Sequence, residues 1–451
     1  MALTLSSPRA RASTIAVPAL ALCLLTVWPA LYNGFPLYFS DSAVYITGTI
    51  YPGIPPAYPL IALVLSKISL WIPPLFSGII TIFVVWCLLA RWFSLNPMSN
   101  LAVIAVTLAA TKLAWVNSLL MPDIYGGLSC AAALALIGRF DLKPTSVGLL
   151  IVIFAGLTFQ TASFGVIALT IIISIIILRS WRPVHWALSI VLGVAMAVVF
   201  ASNLAIFGRL SVNPSGSVAF FSKLVYAGAA QEYLAENCGR ERMKVCDYLS
   251  ELAPMKGDDD QPFLWKRVGG DGRSIAAITG LSDPNNEYSK LVVRIILQYP
   301  LVVAKGALTD TYTLILAEGQ DLQSYKDQGP TWPFKSLYAR DKRSFEMAKQ
   351  QNSALPQEIV NRLAQITTIG SVPLLIIFAV IGRHRTIVLL TLGTWLANAM
   401  VHGTLVGAFE RYQDKVNWLL PMILLAIVAE WHARRDHVAA GRSSGKFLET
   451  D

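Results

Sequence analysis

Charge is what this chain has least of. Asp, Glu, Lys and Arg make up 14% of its 451 residues, whereas 55% are hydrophobic; an average soluble domain carries about 25% charged residues. So few charges cannot keep that much apolar surface in water, which excludes a water-soluble globular domain. The His-Glu-x-x-His and Gly-x4-Gly-Lys-Ser/Thr patterns are missing, so zincin-type hydrolysis and P-loop phosphoryl transfer are unsupported. Nor does the net charge of +9 indicate nucleic acid. The basic residues stand in short clusters at the ends of apolar runs, with no patch or stripe, which is the pattern of membrane orientation.

What is abundant is long apolar sequence. Runs approaching the roughly 20 residues that span a bilayer cover 14–31, 74–90, 100–116, 124–137, 146–159, 164–178, 185–206, 366–381, 386–406 and 416–429. They predict an all-α polytopic membrane protein of about ten crossings. Arg9 and Arg11 before the first run imitate a signal peptide, but no small-x-small site follows, so an uncleaved first helix is expected. With that count, Arg9/Arg11, Arg91, Arg139/Lys143, Arg179/Arg182, Arg383/Arg385 and Arg434/Arg435 all fall on one side. The positive-inside rule makes that side the cytoplasm, with both termini there, in a cell inner membrane.

Four regions follow. Residues 1–206 form an N-terminal membrane region whose first outer loop holds a short Pro-bounded segment, 55–70, expected to lie interfacially or re-entrantly. Residues 207–365 are polar and rich in breakers, as in Asn213-Pro214-Ser215-Gly216, the Asp258 to Asp260 run and Ser282-Asp283-Pro284. They are expected to form a mainly helical periplasmic insertion between the seventh and eighth crossings. Within it, 291–317 either lies on the membrane or dips in as a hairpin. Residues 366–432 complete the bundle, and 433–451 are a cytoplasmic tail. Cys23, Cys87 and Cys130 sit in apolar runs as small hydrophobes. Cys238 and Cys246, in the extracytoplasmic stretch, suit a disulfide, two free thiols being the other reading.

The informative charges are the few at the edges of the runs. Asp41, Asp123 and Arg411-Tyr412 are far apart in sequence yet share the outer side. Charge at a bilayer edge is costly unless paired or used. Asp41 in Ser40-Asp41-Ser42 reads as a helix N-cap or as a general base, and Asp123 after Pro122 as an N-cap or as an acceptor-orienting carboxylate. Two carboxylates form an incomplete metal site, so a divalent cation (Mg or Mn) held by Asp41 and Asp123 stays an option and no cofactor is assigned. Arg411 either snorkels, paired with Glu410 or Asp414, or grips a lipid phosphate bidentately. Glu410, beside Arg411, Gln160, in the polar turn after the fifth run, and His402, late in the ninth, are secondary candidates on the same face, the last two explicable by helix termination and packing.

The order and common sidedness of these motifs resemble the GT-C superfamily of integral-membrane glycosyltransferases. Asp41 in the first outer loop beside 55–70, Asp123 in the next outer loop, and Arg411-Tyr412 before a final helix containing Pro421 carry the likeness. The resemblance implies a GT-C-like fold and transfer of a sugar from a polyprenyl-phosphate carrier to an extracytoplasmic hydroxyl on an envelope glycan, lipid or protein. Arg411 and Tyr412 would hold the donor phosphate, and Asp41 would be the base. Asp123 stands alone, without the Asp-x-Asp or Glu-x-Asp of many relatives. Two readings from other classes stand beside it. One is a multi-pass transporter or flippase of a lipid-linked or anionic solute; the other is a non-catalytic membrane partner, argued from the unassigned insertion.

Overall fold

The computed structural model describes residues 21–444, except 258–260, 269–272, 281–286, 318, 320–321, 327–328 and 383; at 436–444 it describes the backbone alone. Arg9, Arg11, the start of the first apolar run, Arg383, the Asp258 to Asp260 run and the tail beyond residue 444 therefore lie outside the described residues. The chain is mostly helical. Five stretches are long and apolar enough to cross a membrane: Ile72–Trp92, Pro183–Phe207, Gln357–Ile381, Arg385–Leu405 and Arg411–Arg435. Tyr288–Gln298 with Pro300–Leu316 makes a sixth if that pair, bent by 98° at Tyr299-Pro300, counts as one span. Ala57–Ile68, Pro97–Ala110, Asp123–Gly138, Pro144–Phe159 and Ala162–Leu178 are shorter apolar helices.

The centre of the bundle is the Asp123–Gly138 helix, buried along nearly its whole length. Its Gly126-Gly127 and Ala131-Ala132-Ala133 steps let neighbours approach closely, which is how apolar helices associate when lipid removes the hydrophobic drive. Around it stand Ile72–Trp92, Pro144–Phe159, Ala162–Leu178 and Arg385–Leu405. Pro183–Phe207 and Gln357–Ile381 are peripheral and expose Ile190, Val194, Val198, Ile366, Ile376 and Val380. At about 1.5 Å per residue, the 16 residues of the central helix separate its ends by about 24 Å. Asp123 opens one end. At the other, Arg91, Arg139 and Lys143 surround Asp141, and the His384 ring lies 5.4 Å from that of Phe93.

Two expectations change. The run at 100–116 is a broken helix. Thr111 turns extended after Pro97–Ala110, and a second helix, Leu113–Asn117, begins beyond Lys112. A lysine inside an apolar run needs a partner, and the break brings the Lys112 ammonium to Asn361 Oδ1. The boundary at 365/366 is also displaced, because the Gln357–Ile381 helix passes through it unbroken.

The insertion has its own core, built around Val218, Phe221, Phe263, Tyr288 and Leu291. It is mainly helical, with a two-residue antiparallel ladder pairing Arg267 with Ser274 and Val268 with Arg273. Its later part packs instead on the loop that precedes Ser42–Thr47, where Phe35 and Tyr38 meet Tyr325, Phe334 and Phe345. Side-chain amides take the place of a sheet there. Gln350 Oε1 accepts from Tyr38 N at 3.0 Å, and Gln350 Nε2 donates to Tyr38 O at 2.6 Å. Lys223, Asp310 and the Gly403 carbonyl form a buried ionic knot that ties the insertion to the end of Arg385–Leu405.

Cys238 and Cys246 are joined by a disulfide across eight residues of sequence; Cys23, Cys87 and Cys130 are free thiols. Closing so small a loop restricts the unfolded chain by about 2–3 kcal/mol. Non-reducing peptide mapping should recover the Cys238–Cys246 pair, and Cys238→Ser with Cys246→Ser should destabilise the insertion by about that amount in denaturant titrations. Two free thiols in protein from oxidised membranes would contradict this.

Candidate functional site

Two separate loops are stitched before either carboxylate appears. Leu37 and Leu119 form an isolated parallel bridge, with Leu37 N donating to Ser118 O at 2.9 Å and Leu120 N to Leu37 O at 3.0 Å. Asp41 and Asp123 each follow their bridge residue by the same short step in sequence. Backbone pairing thus sets both carboxylates at one end of the bundle.

Asp41 stands at the N-cap position of Ser42–Thr47 but makes no side-chain cap bond. Its Oδ2 accepts instead from Arg411 Nη1 at 2.9 Å. The expected alternative pairing of Arg411 with Glu410 or Asp414 is replaced by this long-range one. The guanidinium is 19% exposed and the Asp41 side chain 37%. Arg411 Nη2 donates to the Tyr412 hydroxyl at 3.1 Å, and the guanidinium lies 4.9 Å from the ring centres of Phe39 and Tyr412.

Below this pair is a second layer. Asp123 is the first residue of its helix, only 4% exposed, and Oδ1 accepts from Gln160 Nε2 at 3.0 Å. Gln160 Oε1 in turn accepts from Lys415 Nζ at 3.2 Å, so the amide dipole is held between an anion and a cation. Lys415 Nζ also meets His402 Nε2 at 3.0 Å. His402 Nδ1 is 2.9 Å from the Asn398 carbonyl. A carbonyl can only accept, so Nδ1 carries the proton and Nε2 accepts from Lys415. The Tyr412 ring stacks on the imidazole at 4.8 Å.

Asp41, Asp123, Arg411, Tyr412, Gln160 and His402 therefore come together, while Glu410 is exposed outside the cluster. Lys415 and Tyr45 are members that sequence reading passed over. Lys415 lies one helical turn from Arg411, the spacing that puts both cations on one face. Burial, then the carboxylates of Asp41 and Asp123, push the Tyr45 phenol well above its ordinary value, so it stays a hydroxyl. Tyr325, which reaches the Ser40 backbone, is pushed up to about 12 by burial.

Among the described residues no three His, Cys, Asp or Glu side chains converge on a metal position. Asp41 is engaged by Arg411 and Asp123 by Gln160, a donor set poorly matched to a divalent cation, and no step below is routed through one. Gly441-Arg442-Ser443-Ser444-Gly445 has nucleophile-elbow spacing, but residues 441–444 close a helix, where the elbow needs a strand-to-helix turn. Neither a protein-family model, nor a curated protein, nor a solved structure matches the chain.

Gly127 is what lets the second layer close. A Cβ there would stand 1.8 Å from the Lys415 carbonyl oxygen, and one at Gly126 2.5 Å from Gln160 Oε1. Gly127→Ala should cost about 1–3 kcal/mol by overpacking, read as a lowered Tm of purified protein, and should loosen the Lys415 contacts. An unchanged Tm would mean that the two helices are not locked together here.

Proposed function

We propose that the chain is a GT-C-like membrane glycosyltransferase that moves a sugar from a polyprenyl-phosphate carrier to a hydroxyl outside the cytoplasm. The observation that carries this is the balanced cluster of two carboxylates and two cations at one end of the bundle. Its open edge is Asp41, and apolar, lipid-facing helices flank the bundle. A donor phosphate entering there meets Arg411, the residue type that binds phosphate through two parallel N–H bonds. Lys415 adds positive charge beneath, which stabilises charge gathering on the departing phosphate.

Asp41 and the phosphate compete for the same guanidinium. Donor binding thus releases the Asp41 carboxylate, which then takes the acceptor hydroxyl's proton as the oxygen attacks the anomeric carbon and the carbon–phosphate-oxygen bond breaks. Asp123, fixed by Gln160, orients the site and balances Lys415. Tyr45 supplies a hydroxyl donor. The anion is bound before the base is freed, so unproductive deprotonation without donor is suppressed.

The membrane arrangement belongs to the same proposal. The five long helices, the shorter helices from Pro97, Asp123, Pro144 and Ala162, and the N-terminal run give about ten crossings, with 57–68 interfacial. The basic ends, opposite Asp123, then face the cytoplasm of an inner membrane. Impermeant thiol reagents should label a cysteine placed at Glu410 in intact cells and spare one at Leu142; the reverse pattern overturns the orientation.

The rival reading, a transporter or flippase, draws on the broken Pro97–Ala110/Leu113–Asn117 helix, since transport sites use discontinuous helices. Reconstituted protein separates the two. Asp41→Asn should lower sugar transfer from polyprenyl-phosphate hexoses and pentoses by about 10²–10⁴-fold while the fold and donor binding persist. Arg411→Lys keeps the charge but loses the fork, so KM for donor should rise together with a fall in kcat. Near-wild-type transfer by Asp41→Asn would remove Asp41 as base, and substrate crossing the bilayer without any transfer would favour transport.

A further inference from the structure

The helix Arg385–Leu405 ends a few residues before Arg411, and the insertion caps it from outside. The last carbonyls of a helix have no partner within it. His402 O accepts from both Val406 N and Gly407 N at 2.9 Å. Two more carbonyls are taken by side chains of the insertion: Gly403 O accepts from the Lys223 ammonium, and Val406 O accepts from Gln261 Nε2 at 2.8 Å. A cation at this end also meets the negative pole of the helix dipole.

Gln261 holds a costly backbone to make its bond. Its φ of 50° and ψ of 56° are left-handed, a region that non-glycine residues enter under strain and that clusters at functional sites. Against it lies Gly407, with φ 137°, where a Cβ would stand 3.3 Å from Gln261 Nε2. The chain reverses at this point, and only Ala408, Phe409 and Glu410 separate Gly407 from Arg411. Tyr412 N donates to Phe409 O at 3.0 Å, and the two rings lie 5.8 Å apart. Gln261, Val406, Gly407, Ala408 and Phe409 border a cavity of about 20 Å³, room for about one water. Packing therefore leaves slack behind the turn, and hydrogen bonds set its path.

We infer that Gln261 is a positioning residue: its amide clasps the turn at 406–410 and so fixes Arg411 where an anion is received. The insertion, to which the transfer chemistry above gives no part, thereby governs donor binding. The choice of donor rests on the transferase reading; the clasp itself does not.

Gln261→Asn and Gln261→Glu, made in the full-length protein in nanodiscs, test it. Asparagine enters the left-handed region more readily than glutamine does, but it is one methylene short of Val406. Glutamate keeps the reach and presents a carboxylate, which cannot donate to a carbonyl. A merely structural Gln261 would tolerate asparagine. With a clasp, both variants should speed hydrogen exchange at the amides of 407–412 by about three- to tenfold, the worth of one neutral hydrogen bond. Exchange in the Gly216–Tyr226 helix of the insertion core should stay as it was. Farnesyl phosphate, titrated as the probe, should bind both variants more weakly by a similar factor, and KM for a polyprenyl-phosphate sugar should rise more than kcat falls. Four results overturn the inference: unchanged exchange at 407–412, faster exchange with unchanged farnesyl phosphate affinity, wild-type behaviour of Gln261→Asn, or exchange that rises equally through Gly216–Tyr226. If the exchange and farnesyl phosphate results hold while wild-type protein transfers no sugar, the transferase reading alone fails.

Discussion

The Asp41–Arg411 contact is the constraint on which the rest of the site depends. It joins the first loop after the N-terminal helix to the first turn of the last membrane stretch, 370 positions away in sequence. The pair is only partly out of water, with the Asp41 side chain 37% exposed, so it sets the position of Arg411 without the fold depending on the charge of Asp41. Once Arg411 is held, the helix geometry decides the rest. Tyr412 lies on His402 at 4.8 Å, and Lys415 is directed inward one turn later, to Gln160 and His402. The site is two ion pairs in depth, one direct and one mediated by an amide.

That constraint holds only because the scaffold delivers both carboxylates to the same place. The Leu37–Leu119 bridge does so with backbone alone, and the Gln350 amide secures the Tyr38 strand from the other side. Backbone hydrogen bonds are directional and resist slippage better than aromatic packing does. The aromatic cluster of Phe35, Tyr38, Phe334 and Phe345 then excludes water around those bonds, which strengthens them. The part of the insertion that carries Tyr325, Phe334 and Phe345 thereby becomes a wall of the site, while the part around Phe221 and Tyr288 packs on itself.

Much of this architecture is legible in the residues. Apolar runs mark most helices between Ile72 and Leu405 to within about two positions, the broken run at 100–116 and the early start of Gln357–Ile381 excepted, since hydrophobic length is a strong signal and polar flanks bound it. The shared end of Asp41, Asp123 and Arg411 is readable because edge charges are rare. Lys415 is harder: among Glu410, Asp414 and Arg411 it looks like one more headgroup charge, and only its helical phase relative to Arg411 sends it inward. Lys112 gives the opposite lesson. A lysine in the middle of an apolar run signals a break, but run length outweighs a single charge when segments are read by hydropathy. The Leu37–Leu119 bridge leaves no pattern at all, because one pair of residues has no period to detect.

The difference between the two carboxylates follows from depth. Asp123, 4% exposed, is pinned by Gln160 and faces a buried cation; moving it would strand Lys415 in low dielectric, so it is suited to a fixed electrostatic role. Asp41, 37% exposed, has one strong partner and solvent on its other side, so exchanging that partner for an incoming anion costs little reorganisation. The four charged groups sum to zero before ligand arrives. An added phosphate unbalances the outer pair, where water can compensate, and leaves the inner pair intact. Under the proposed transfer, a cluster built this way keeps its inner pair fixed through donor binding while the outer carboxylate, on the solvent side, changes partner.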